Sequence, residues 1–159
     1  MFFIAPCLLD PNLRAKGLTP HPETKDKILK LAEKHNAKIE QLPCPEFLLL
    51  REREPKTYDE YMEIELFREL CKRLAEETAR KLEKFKGHKV LIIGIARSPS
   101  CSNSYVYDKN NNLKEGKGLF IALLHEKFTP TPKALVWGYT EIDYRDVDGS
   151  IERLDRLIP

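Results

Sequence analysis

Three cysteines stand at comparable places in this 159-residue chain: Cys7 in Pro6-Cys7, Cys44 in Pro43-Cys44-Pro45-Glu46, and Cys101 in Arg97-Ser98-Pro99-Ser100-Cys101. Each follows a short apolar run and sits beside or within a proline-containing turn. Proline fixes φ and gives up its N–H, so it stiffens the turn that carries the thiol. Thiolates on rigid turns bind soft metals such as zinc and iron. Structural zinc normally closes with four ligands, often from paired C-x-x-C knuckles, and the chain has no such pair. His21, His35, His88 and His125 show no ligand spacing. Three thiolates with an open fourth position suit a catalytic metal, or an iron–sulfur cluster with one iron left for an outside ligand.

The thiols lie among groups that could serve them. Arg14 and Arg97 can offset a cluster's negative charge or clamp substrate oxygens. Ser98 can bond substrate or cluster sulfur, or simply close its own turn. Cys71 is different in kind: it falls among Phe67, Leu70 and Leu74 on a helical pattern and reads as a small core hydrophobe. A phosphate-cradling thiol loop does not fit Cys7, because six residues separate it from Arg14 where such a loop needs five, and glycine is absent until Gly17.

The elements that must position these residues alternate. Residues 2–5, 37–43, 89–95 and 133–139 read as strands. Between and after them, helical spacing predicts helices over about 22–36, 58–85, 118–128 and 147–158. Thr57-Tyr58-Asp59-Glu60 is a capping box at the start of the longest. The stretch around Asn110, Asn111 and Asn112 reads as a loop or small hairpin. Strands alternating with helices predict an α/β fold, a small Rossmann-like three-layer sandwich with a mostly parallel sheet. With strand order 2-1-3-4, the carboxyl ends of the first three strands bring Cys7, Cys44 and Cys101 to one edge, where open α/β sheets bind ligands. The separations of 37 and 57 residues are each a crossover or more, so topology, and no local motif, makes the cluster.

Bulk properties narrow the class. A 42% hydrophobic content suits one domain over residues 1–159. A net charge of +2 with mixed signs gives no strong nucleic-acid signal. No run is long enough to span a bilayer, and the first residues, cut by Pro6, lack a signal-peptide pattern. A cytoplasmic protein with no membrane partner is expected, and its cysteines read as thiols or metal ligands before disulfides.

Four segments, in order, resemble the thiouracil desulfurase family. Cys7-Leu8-Leu9-Asp10-Pro11-Asn12-Leu13-Arg14-Ala15-Lys16-Gly17 is similar to its "CLLG..VRYDG", Cys44-Pro45-Glu46 to its "CPE", and Ser98-Pro99-Ser100-Cys101 to its "SPSCG". More weakly, Gly116-Lys117-Gly118 through Ala122-Leu123-Leu124 is similar to "GxGVTAALL". The resemblance implies a [4Fe-4S] cluster on Cys7, Cys44 and Cys101. It implies proton transfer by Glu46, substrate contact by Ser100, and a thiolated pyrimidine or related thiocarbonyl compound as substrate, with 2-thiouracil giving uracil and sulfide without net redox change.

The chain departs from the pattern at Asp10, Ala15 and Ser102, and the family's "GGLPTPRPP" is replaced over residues 47–61. These departures leave the ligands in place and mark this as a divergent member whose exact substrate stays open. A structural zinc module and an iron–sulfur sulfur carrier without desulfurase activity are the alternatives.

Overall fold

The computed structural model describes residues 1–18, 21–130 and 134–158. Four strands form one sheet: β1 (Phe2–Ile4), β2 (Ile39–Gln41), β3 (Val90–Ile95) and β6 (Val136–Ile142), in the order β2-β1-β3-β6. All the pairings are parallel, with Phe2 opposite both Ile39 and Leu91, and Leu91 opposite Gly138. β3 is buried along its whole length, as a strand covered on both faces must be. The predicted α/β sandwich therefore holds, and the strand order is the one under which the three cysteines come to one edge.

Helices cover both faces. α1 (Pro22–Lys34) and α6 (Val147–Leu157) pack on one side, around Phe2, Ile4, Leu91 and Ile93. On the other side lie α2 (Pro45–Leu50), α3 (Tyr58–Met62), α4 (Glu65–Glu83) and α5 (Leu119–Lys127), around Phe3, Val90, Ile92 and Val136. Alternate strand residues thus feed opposite cores. The Asn-rich stretch is an antiparallel hairpin of β4 (Tyr105–Tyr107) and β5 (Leu113–Glu115).

Two predicted elements change. Residues 45–50, which sequence spacing left irregular, form α2, with Pro45 in its first turn. The helix expected over 58–85 is broken: Ile64 is extended, at φ −90° and ψ 105°, between α3 and α4. The break has a packing reason. In one continuous helix Tyr61 and Phe67 would project about 120° apart. With the kink, both side chains are fully buried and their rings meet at 4.5 Å between centroids. The fourth strand also runs later than expected, to Ile142, and Lys133 of the predicted segment lies outside the described residues.

Candidate functional site

The parallel order puts the ends of β1, β2 and β3 on one edge, with β1 between the other two. Pro6 and Cys7 follow β1 in a single 3-10 turn, and Cys44 is the residue before α2. Cys101 ends a compact loop after β3 in which Arg97 adopts a left-handed φ of 66° and Ser98 N–H closes the turn on Ile95 O.

Two glycines hold that loop tight. A Cβ on Gly94 would lie 1.8 Å from the carbonyl oxygen of Cys101, and one on Gly118 would lie 2.3 Å from the carbonyl carbon of Ser100. Both contacts are backbone, so no rotamer change relieves them. Gly94 sits within the apolar run Val90–Ile95, and it is the sequence signal that marks where the Cys101 loop folds back on its own strand.

Cys7, Cys44 and Cys101 line one small cavity of about 30 Å³ together with Glu46, Arg53, Ser98 and Ser100. All four cysteines are free thiols. Among the described residues no three His, Cys, Asp or Glu side chains converge on a point that would hold a single metal ion. Burial and the neighbouring Cys101, Cys44 and Glu46 charges push the Cys7 thiol far up, against the pull of Arg14. Burial and Glu46 also raise Cys44, opposed by the Phe47 and Glu46 amides and by Arg53. Cys101 is pushed up to about 12, mainly by burial. Burial and nearby negative charge thus disfavour the thiolate forms, and a guest bound through thiolates would have to displace their protons.

Glu46, Ser98 and Ser100 line the same cavity as the thiols. Glu46, only 9% exposed, accepts a 2.6 Å hydrogen bond from Ser100 Oγ on Oε2. Ser98 Oγ lies 3.5 Å from the same oxygen. Ser98 itself accepts from the amides of Ser100 (3.3 Å) and Cys101 (3.1 Å), and from the Cys101 thiol (3.2 Å). Its bonds are those of a turn serine that also touches the Cys101 sulfur.

The cavity shares Cys7, Glu46, Arg53 and Ser98 with an outer chamber of about 390 Å³. Arg14, His21, Lys56, Tyr107, Tyr144 and Arg145 also line that chamber, which is basic and aromatic. Arg14 lies over the Tyr144 ring at 4.1 Å, and His21 stacks on the same residue at 4.7 Å. Arg97 lines the chamber too, but both its Nη groups bond Asp143, at 2.7 and 3.0 Å. The structure thus gives Arg97 an intramolecular partner; Arg14, Arg53, Lys56 and Arg145 line the same chamber.

The departures in the motifs have local explanations. Asp10 caps the next turn by accepting from Asn12 N–H. Ser102 is fully buried and accepts from Gly118 N–H, away from both cavities. Segment 47–61 supplies α2, the buried Arg53, and the Pro55 and Lys56 wall of the chamber. Sequence spacing missed Arg53, Tyr107, Tyr144 and Arg145. Arg53 was hidden in the charged run Arg51-Glu52-Arg53-Glu54, and the others reach the chamber only through the hairpin and the turn after β6.

A family profile described as putative 2-thiouracil desulfurase matches residues 1–112. The chain belongs to that family. An uncharacterized protein of Methanocaldococcus jannaschii is 29% identical over 153 residues, covering 92% of this chain and 91% of the relative. Among solved structures, a [4Fe-4S]-dependent thiouracil desulfidase, TudS, superposes with a TM-score of 0.52 at 15% identity, over 98% of this chain and 97% of that one. That likeness is one of fold. The family profile ends before β5, so the thiol loops fall inside it and Asp143, Tyr144 and Arg145 fall outside.

The donor set suits the cluster that the resemblance implies. Three thiols share one cavity, and thiolate is the usual ligand of iron–sulfur irons. The space between the thiols alone holds about one water. The chamber of about 390 Å³ beside it shares Cys7, Glu46, Arg53 and Ser98 with the thiol cavity. Among the described residues no helix is long and apolar enough to cross a membrane.

Proposed function

We propose that this protein is an iron–sulfur-dependent desulfurase of thiolated pyrimidines, converting a thiocarbonyl and water to a carbonyl and hydrogen sulfide. Cys7, Cys44 and Cys101 would hold a [4Fe-4S] cluster. When bound, the cluster would supply a sulfur-seeking Lewis acid.

The remaining chemistry belongs to the chain. Glu46 is the carboxylate that lines the thiol cavity, and Ser100 Oγ fixes the direction of its Oε2 with a 2.6 Å bond. In the forward direction the carboxylate takes a proton from the attacking water and returns one to the departing sulfur, so no electron is gained or lost. Ser98 keeps the Cys101 loop in register, through the two amides it accepts from. Tyr144, Tyr107 and the chamber's cations offer a flat, polar-edged wall for a planar, electron-rich ring. Water is limited in the inner cavity by its small volume and by the burial of Ser100 and Glu46.

One observation carries this reading: the three thiols, Glu46 and Ser100 line a single cavity that shares walls with a larger chamber. The test is anaerobic purification or reconstitution followed by iron and sulfide counts. 2-Thiouracil is then added, and uracil and sulfide are measured. About four irons per chain and equal yields of the two products are expected for a loaded enzyme. Zinc in place of iron, or a loaded cluster with no uracil formed from 2-thiouracil or a related thiopyrimidine, overturns it.

A further inference from the structure

Arg53 lies in the segment that replaces the family's motif after the second cysteine, and it is buried to 8% exposure. A buried guanidinium is costly unless its donors are used; Arg53 Nε is buried without a partner, and both Nη groups are engaged. One Nη group donates to Leu13 O at 2.8 Å and to Arg51 O at 3.3 Å. The other donates to Glu46 Oε1 at 3.4 Å. Its own carbonyl accepts from Lys16 N–H at 2.8 Å. Arg53 therefore links the loop after Cys7 to the helix after Cys44, and it borders both cavities.

The two oxygens of Glu46 have different partners. Arg53 bonds Oε1, whereas Ser100 and Ser98 approach Oε2. A carboxylate on a flexible stem rotates unless both ends are engaged. The planar guanidinium, itself fixed by two carbonyls, supplies the second engagement; a lysine ammonium is a point charge without that fork. Tyr61 closes the far side. Its buried hydroxyl lies beside both Arg53 and Glu46.

We infer that Arg53 is the positioning residue for Glu46: it holds Oε1 so that Oε2 faces Ser100 and the thiol cavity. In its catalytic consequence this rests on the function proposed above; the clamp itself does not.

The experiment has two arms. In the metal-free protein at fixed pH, infrared difference spectra with ¹³C-labelled glutamate are recorded, and the E46Q variant identifies the Glu46 carboxyl band. R53M is expected to shift that band, and R53K to restore it only in part. In the reconstituted protein, R53M is expected to lower kcat for 2-thiouracil about 10²-fold, as misplacement of a reacting group does. KM should change little and iron content should be unchanged. In the E46Q background R53M should add less than about a twofold further loss, because residues acting through one another are not additive. Should R53M fail to fold, R53K is read in both arms.

A Glu46 band that does not move in a folded Arg53 variant overturns the clamp. So does an equal loss of kcat with and without E46Q. If the wild type loads its cluster and releases no sulfide, the functional reading falls, while the infrared arm still decides the clamp.

Discussion

The inner cavity and the outer chamber are built by different means. The inner one is walled by backbone-fixed turns: Pro6-Cys7, Pro43-Cys44-Pro45 and the loop that Gly94 and Gly118 pull onto β3. The outer one is walled by charged and aromatic side chains from the hairpin, segment 47–61 and the turn after β6. In the first, a single added methyl meets main chain at 1.8 Å. In the second, side chains stack and pair with room to exchange partners. The inner cavity is thus held by main-chain contacts that leave no room for an added side chain, and the chamber by side chains. This matches where the chain departs from its family's motifs: the three cysteines stay and residues 47–61 differ.

The comparison can be broken most forcefully at the thiols. Cys101→Ala should abolish stable cluster loading, read as loss of iron and of brown colour after anaerobic purification; full iron content would sink the ligand assignment. Gly94→Ala should come close to it without touching a ligand. The new Cβ must displace the Cys101 carbonyl, so iron content and thermal midpoint should fall together. If G94A loads iron normally, the inner wall is softer than described.

Glu46→Gln should leave the cluster in place and lower kcat by about 10²- to 10⁴-fold, the range for losing a positioned acid–base group. Iron counts and single-turnover sulfide release separate the two effects.

Asp143→Asn should act more weakly and through pH. Hydrogen bonds from Arg97 hold the Asp143 carboxyl at about 2, below its usual 3.8. A depressed folded-state value means the pair stabilises the fold above about pH 4 and that this contribution fades as pH falls towards about 2. Unfolding midpoints of the wild type should drop across that window by more than those of D143N. Equal slopes would show that the pair only decorates the surface.

Cys71→Ala should do least. Its thiol is fully buried among Phe67, Leu74 and their neighbours, so its loss costs about 1 kcal/mol of packing. Iron content should be unaffected; a large drop would make Cys71 part of the site.

Much of this protein was legible before any coordinate. The alternation of apolar runs and helical spacing dictated a parallel sheet, because a strand buried on both faces needs helices on both sides. The order β2-β1-β3-β6, which the sequence reading took only as a condition, places Cys7, Cys44 and Cys101 on one edge, and the pattern of Phe67, Cys71 and Leu74 put the fourth cysteine in the core. Local spacing could not show the break at Ile64, since it depends on Tyr61 and Phe67 sharing one pocket. Nor could it show that Arg97 is taken by Asp143, 46 residues away, or that Arg53 grips Glu46 from within a run of surface-like charges. The turn after β6 enters the chamber only because β6 lies beside β3. Residue types and periodicity are local properties, and the sequence by itself determined the elements and the three thiols. Which charges meet across the sheet edge is a matter of distance between elements, and only the tertiary structure decided that.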